Sequence, residues 1–415
     1  MKKSYFKNLS LVFLAAAIAL SPSFSAGEIE GGRVLEIRIE DVLIVILGLV
    51  WIASFLISGR KNIKKPPLFL PILAWLGIGF FSLLTNWMFG NIGLSRGFFY
   101  FLKEIQFFFL YFYLFYHIRT FHSSKLIVNF WVFLGVANVS IVLFQLIQGF
   151  RFGDYGPGLF MERGPLPSGG FFLILFVGLF NVLLYYYSHL TIFKIKKGGL
   201  ALCVMAPIIG VIASGSRTAI LALVLAVILS LFLYQFKNRG LKTFFITLLV
   251  FIIIGGTFIG LSGRVPYILG ISPERALPSI KVRAGIWEDQ LSAFPDNLFH
   301  TLFGLGKSVY LTGEESHSQY VRNFIETGVV GSLLFFILIF AIMKKSWYGF
   351  SRGKNRLLIG LSAGLLVNTF VMLFISIAGE GFLVVKPNEV YWFFVAITMA
   401  VLTISKKKVL PKEKL

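Results

Sequence analysis

The sequence predicts an all-α polytopic membrane protein of about twelve transmembrane helices, with one long outer loop between spans 9 and 10. Three observations carry this prediction. Of 415 residues, 57% are hydrophobic and only 14% charged, and the mean hydropathy is +0.83, a composition that excludes an ordinary soluble fold. Apolar runs of the length needed to cross a bilayer recur along the whole chain. The connections between them alternate between strongly basic and not. One cysteine, Cys203, sits in the apolar run ALCVMAPIIG, so an intrachain disulfide and a cysteine metal cluster are both excluded.

The first run, residues 9–25, follows the basic stretch MKKSYFK. A secretory signal peptide is the competing reading there, with LSLVFLAAAIAL as its apolar segment and SFSAG as its small residues. Its removal would leave an odd number of spans, whereas retention preserves the alternation of charge. The second run, 41–58, opens on RIEDVLI, whose acidic pair suits a helix N-terminus. Runs at 68–87, 97–116, 127–147, 168–188, 199–214, 218–235 and 243–262 follow. After the long connection come 328–343, 357–377 and 390–404. The expected organisation is therefore spans 1–9 in residues 1–262, an outer catalytic loop in 263–327, and spans 10–12 with a basic cytoplasmic tail in 328–415.

Charge orients these spans. MKKSYFK, GRKNIKK, HIRTFHSSK, KIKK, KNRGLK, MKKSWYGFSRGKNR and KKKVLPKEKL hold 25 of the 39 Lys and Arg and a single acid, Glu413. They carry +24 against −3 for the rest, which places both termini in the cytoplasm. The net charge of +21 is thus a topology signal, and nucleic acid is not an expected partner. The basic pieces hold 20 Lys and 5 Arg, and the remainder 4 Lys and 10 Arg. Arginine grips phosphate through paired hydrogen bonds, so the outer excess points to an anionic ligand; snorkelling or pairing with outer acids is the competing reading.

The polar chemistry gathers on the outer side. In the long loop, IKVRAGIWEDQLSAF between Pro278 and Pro295 has helical spacing and puts Arg283 and Trp287 on one face. FGLGK reads as a glycine turn, a weak signal that lacks nucleotide-loop spacing. HSQYVRNFIETG reads as a helix entering the tenth span, with His317 at its start on the membrane surface and Tyr320 and Arg322 following. A helix dipole favours a neutral imidazole able to take a proton from a hydroxyl; a loop histidine bonded to Glu314 or Glu315 is the alternative. SGSRTAI sets Arg217 at a helix start, where backbone N–H groups and guanidinium together suit phosphate oxygens. LSRGFF sets Arg96 at the start of the fourth span, and Lys103 and Glu104 lie about two turns into it, as the wall of a polar site or as a structural ion pair. GFRFGDYGPGLFMERGPLPSGG adds Arg151 and Arg163 among aromatics and glycines, suited to a sugar or lipid-linked head group or to a plain loop.

SGSRT at a helix start, R-x-x-x-W, FGLGK and HSQYVRNFIETGVVG, in that order over about residues 200–345, resemble the O-antigen ligase and O-antigen polymerase superfamily. The twelve-span layout with RIEDVLI at the second helix is similar as well. The resemblance implies a bacterial cytoplasmic-membrane glycosyltransferase of lipopolysaccharide or polysaccharide biosynthesis. Such an enzyme moves a glycan from an undecaprenyl-pyrophosphate donor to the hydroxyl of a lipid or glycan acceptor on the outer face. It implies pyrophosphate binding by Arg217 and Arg283 and a general base at His317, with no nucleotide sugar, cofactor or metal. Ser318 stands where many ligases have Asn, which leaves polymerase open beside ligase. The competing class is a multi-span transporter or flippase of lipid-linked sugars. Permeases built from two halves keep their long central loop in the cytoplasm, whereas here the long loop is expected outside and after the ninth span.

Overall fold

The structure, a computed structural model, describes residues 2–29, 33–58, 66–149, 165–186, 197–238, 276–309 and 315–409. It opens with α1 (Lys2–Leu20), a two-stranded antiparallel hairpin of β1 (Ser23–Ile29) and β2 (Arg33–Arg38), and α2 (Ile39–Ser58). Then come α3 (Phe69–Met88), α4 (Leu94–His117), α5 (Phe121–Ile147), α6 (Pro165–Tyr186), α7 (Lys197–Met205), α8 (Pro207–Ala213) and α9 (Arg217–Asn238). The chain continues with α10 (Ala276–Ser292), α11 (Leu298–Phe303), α12 (Gln319–Arg352), α13 (Arg356–Ile375) and α14 (Val385–Val409). Among the described residues, eight helices are long and apolar enough to cross a membrane: α3, α4, α5, α6, α9, α12, α13 and α14. α2, at 20 residues, adds a further apolar helix of about 30 Å. The expectation of an all-α membrane protein holds, and the hairpin at 23–38 is a local addition that apolar periodicity did not announce. The ninth expected span, 243–262, lies outside the described residues, as do 263–275 and 310–314.

α6 forms the centre. Phe171 to Val177 are at most 1% exposed, as befits a helix apolar on all sides. α13 lies against it almost backbone to backbone: a Cβ at Gly364 would sit 3.2 Å from the Gly178 Cα, and one at Gly360 would sit 2.9 Å from the Val182 Cα. Gly360 and Gly364, four residues apart in GLSAG, are the small-residue spacing that lets membrane helices approach this closely. Leu11, Leu14, Ala15 and Ile18 of α1 are buried in the same core, so α1 is packed as a member of the bundle.

Side-chain caps begin several helices. Thr120 accepts from the Ser123 N–H at α5, Asn297 from the Phe299 N–H at α11 and Asn355 from the Leu357 N–H at α13. Two expected spans are built differently from their sequence reading. The run 199–214 is divided between α7 and α8, because Pro207 lacks an N–H and its ring crowds the carbonyl a turn earlier. α12 is not one straight helix entering a span: Gly328, at φ 65°, breaks it into arms 319–327 and 329–352. The rings of Tyr320 and Phe336 stack 6.0 Å apart. Straight helix would hold their Cα atoms about 24 Å apart, so the chain doubles back at Gly328. The start of α12 consequently lies alongside the C-terminal end of α13, where the Gln319 N–H donates to the carbonyls of Ser376 and Gly379.

Candidate functional site

The fold-back of α12 creates the site's floor. A kinked ladder leaves carbonyls available, and the FGLGK turn takes them: Leu305 N–H donates to Ile325 O at 2.7 Å and Gly306 N–H to Glu326 O at 3.1 Å. Ser82 Oγ of α3 donates to the same Glu326 carbonyl, and Asn86 Nδ2 donates to Gly304 O. The contact is backbone on backbone. A Cβ at Gly304 would fall 2.4 Å from the Glu326–Thr327 peptide, and one at Gly328 would fall 2.4 Å from the Leu302 backbone. Both residues also hold positive φ, so glycine is required twice over.

That turn inserts Lys307, 2% exposed, between α3, α4 and α12. Its Nζ donates to Glu104 Oε1 at 2.7 Å, lies 3.3 Å from Glu326 Oε2 and sits over the Trp75 ring. Glu326 accepts from Arg322 Nε at 2.7 Å and from the Ser308 N–H at 2.9 Å. Arg322 reaches on to Glu380, whose Oε1 lies 3.2 Å from Ser316 Oγ. Five ionisable groups, two cations and three carboxylates, therefore run in one relay from α4 through the FGLGK turn and the first arm of α12 to the segment 376–384. Burial lowers the Lys307 pKa, but Glu104 and Glu326 outweigh it and hold the ammonium above the ordinary lysine value. Burial pushes the Glu380 carboxyl above the usual carboxylate range, although Arg322 pulls it back down.

His317 stands exposed two residues before α12, at φ 50°, in the left-handed region that few residues other than glycine adopt and that histidine tolerates better than most. Ser318 follows as the N-cap residue. The flanking backbone is pinned from three directions. Trp287 Nε1 of α10 donates to the Ser316 carbonyl at 2.6 Å, Ser316 Oγ donates to Ser318 O, and Tyr320 Oη donates to Leu373 O of α13. Arg283 precedes Trp287 by four residues on α10, so the two Cβ atoms lie about 6 Å apart on one helix face. The Trp287 bond thus brings the Arg283 face of α10 beside His317.

Arg217 begins α9 at the same end of the bundle. The turn before it is pressed on the start of α6, where a Cβ on Gly169 would meet Ser214 Oγ and Ser216 Cβ, and Gly170 touches Pro387 of α14. Arg217 and Arg283 are both partly buried, and among the described residues neither has an ion-pair or hydrogen-bond partner. Arg96 is partly buried in the first turn of α4. Arg163, with Arg151 and Glu314, lies outside the described residues.

Lys103 and Glu104 do not pair with each other, since adjacent helix residues point apart. Lys103 pairs with Asp41 of α2, in a second cluster where Gln106 Nε2 bridges Asp41 and Glu389 and Lys386 pairs with Glu40. Arg322 and Tyr320 have polar atoms engaged inside the protein, which makes them supports of the His317 turn. Lys307 and Glu380 are the site residues that sequence reasoning passed over as functional. The glycines of FGLGK and ETG were the available signal, because both mark close backbone approach. Among the described residues, no group of three or more His, Cys, Asp or Glu side chains is placed to hold a metal ion.

Residues 200–336 match the model of the O-antigen ligase family. That stretch contains Arg217, Arg283, Trp287, Lys307, His317, Arg322 and Glu326, and it bears out the resemblance read from the sequence motifs. No curated protein matches the chain. The O-antigen ligase match supports a ligase- or polymerase-type glycan-transfer role, and the eight helices long and apolar enough to cross a membrane agree with a multi-pass membrane protein.

Proposed function

We propose that the protein transfers a glycan from undecaprenyl pyrophosphate to an acceptor hydroxyl on the outer face of the bacterial cytoplasmic membrane, as a ligase in preference to a polymerase. In this reading both termini are cytoplasmic, twelve spans are present, and residues 263–327 form the outer loop. The observation that carries it is the Trp287–Ser316 hydrogen bond, which joins the arginine-bearing face of α10 to the exposed histidine inside the stretch matched to the O-antigen ligase family.

Arg217 and Arg283, free of protein carboxylates among the described residues, each offer a planar fork to the two phosphates. His317 takes the proton of the acceptor hydroxyl as its oxygen attacks the anomeric carbon. The bond from that carbon to the pyrophosphate oxygen breaks, and its electron pair leaves with undecaprenyl pyrophosphate. Pyrophosphate is already a good leaving group, so stabilising its charge and removing one proton are the chemistry left to the chain. Each charge-stabilising donor is typically worth about 2.7–4 kcal/mol, and the base ~10²–10⁴ in rate. Arg96 and the loop with Arg163 are placed by this reading to contact the donor's remaining phosphate or sugar oxygens.

The broken helix α12 is a feature shared with transporters, which build sites on interrupted helices. Purified protein in proteoliposomes separates the two. Glycan transfer releases undecaprenyl pyrophosphate and a glycosylated acceptor without a second compartment. A transporter moves the lipid-linked glycan between leaflets and leaves its pyrophosphate bond intact, and that outcome would refute the proposal.

A further inference from the structure

α11 is short and two-sided. Along LFHTLF, Leu298, Phe299, Leu302 and Phe303 fall on one side of the helix and His300 and Thr301 on the other. Its rings pack on the outer part of α3. The Phe303 centroid lies 5.1 Å from that of Phe81, and the Phe299 centroid lies 6.5 Å from Phe81 and 5.9 Å from Phe89. Leu298 and Met88, at either edge of this cluster, are 75% and 76% exposed. Helical spacing puts Met88 and Phe81 on the same side of α3 as Leu73 and Leu70, which are exposed as well. The uncovered face of α11 therefore continues the side that a membrane-crossing helix turns to lipid.

The turn that follows α11 reaches bilayer depth. A Cβ on Gly306 would fall 3.1 Å from Asn86 Cβ, and one on Gly97 would fall 3.3 Å from the Lys307 carbonyl oxygen. The turn's backbone thus lies beside the last turn of α3 and the first turn of α4. The Lys307 side chain goes further, with its Cε 3.2 Å from where a Cβ on Gly79 would sit. Gly79 is about 15 Å from the Phe69 end of α3 and about 14 Å from the Met88 end, at 1.5 Å per residue. In a hydrocarbon layer about 30 Å thick, that is the middle. Irregular backbone is tolerated at such depth only where the protein meets its polar groups. Here it does: the N–H groups of Gly304, Leu305, Gly306 and Ser308 donate to His300 O, Ile325 O, Glu326 O and Glu326 Oε1. The buried ammonium has its carboxylates, Glu104 and Glu326.

We propose that residues 298–308 return into the outer leaflet as a re-entrant element, with the apolar face of α11 docked on lipid acyl chains. In water the same face would be a contiguous apolar patch of the kind that marks an interaction surface. Its continuity with the lipid-facing side of α3 favours lipid over a second copy of the chain. From the glycan-transfer reading the proposal takes only which leaflet is the outer one.

Nitroxide labels test it in the full-length protein in lipid nanodiscs. Leu298→Cys and Leu302→Cys report on α11, each in a Cys203→Ala background. Leu73→Cys is the reference on the span, and Asp289→Cys, exposed in the last turn of α10, the reference outside it. Power-saturation EPR compares collisions with oxygen, which concentrates in the bilayer, and with a nickel chelate, which stays in water. The α11 labels should favour oxygen, as at Leu73, and the preference should reverse to nickel at Asp289. Melting close to that of the wild type shows that each labelled protein folds, and either α11 label suffices if the other variant does not. Nickel preference on α11 would overturn the proposal by placing the loop in water, and shielding from both probes would overturn it by showing a protein cover. Protein whose α11 labels favour oxygen but that releases no undecaprenyl pyrophosphate would refute the transfer reading and leave the re-entrant element standing.

Discussion

Two sets of cations lie at one end of this bundle, and they differ in what neutralises them. Lys307 and Arg322 are 2% and 5% exposed, and both are held by carboxylates of the chain itself. Arg217 and Arg283 are only partly buried and have no such partner among the described residues. A charge taken out of water must be paired or it costs several kcal/mol, so the first set belongs to the architecture. The second set can afford to wait for an anion from outside. An outward excess of arginine is therefore not one signal: Arg322 and Arg283 look alike in sequence, and only Arg322 has the carboxylate neighbours that make it a strut.

The carboxylate-paired set carries the largest expected effect. Glu326→Gln removes the central anion of the relay and leaves Lys307 and Arg322 sharing less charge, for a loss of about 3–5 kcal/mol. Thermal unfolding in detergent should show it, with or without any substrate present. A Glu326→Gln protein as stable as the wild type would mean that the relay is incidental. At the other end, Arg217→Lys and Arg283→Lys should melt normally yet lose ~10²–10³ in transfer rate, because a point charge does not replace the bidentate fork. Near-normal transfer by both lysine variants would reduce these arginines to generic surface charge.

Glu380 gives the smallest and most specific effect. Its raised pKa means that the folded state favours its protonated form, a contribution present in full below the ordinary value of 4.5 and lost as pH rises through the raised value. Glu380→Gln should therefore gain stability relative to the wild type as pH climbs from 4.5 to neutrality. A difference in melting temperature that stays flat across that range would show that Arg322 fully compensates the buried carboxylate.

Much of the helical layout was legible because burial in a bilayer writes itself into composition. The run 68–87 became Phe69–Met88, and 357–377 became Arg356–Ile375. The fold-back of α12 was not legible, since HSQYVRNFIETGVVG is helical in character on both sides of Gly328 and only the positive φ there reverses the chain. The relay was equally hidden: Lys307 and Glu104 are 203 residues apart, and no local pattern pairs them. FGLGK read as a weak phosphate-loop signal because glycines serve close backbone approach as readily as anion binding, and here they seat the turn against Glu326. His317 was placed correctly before a helix, but its setting, pinned through Ser316 to Trp287 of a different helix, depends on contacts that the sequence does not order.

In the proposed mechanism, His317 removes the acceptor proton while the unpaired arginines hold the donor. The most direct measurement is single-turnover transfer by His317→Gln with an undecaprenyl-pyrophosphate glycan, alongside donor binding by the same protein. Glutamine can hydrogen-bond the acceptor hydroxyl but cannot take its proton. Donor affinity should stay close to that of the wild type and the transfer rate should fall by ~10²–10⁴. Transfer at close to the normal rate would contradict it, leaving His317 only to orient the acceptor and moving the base to a nearby carboxylate.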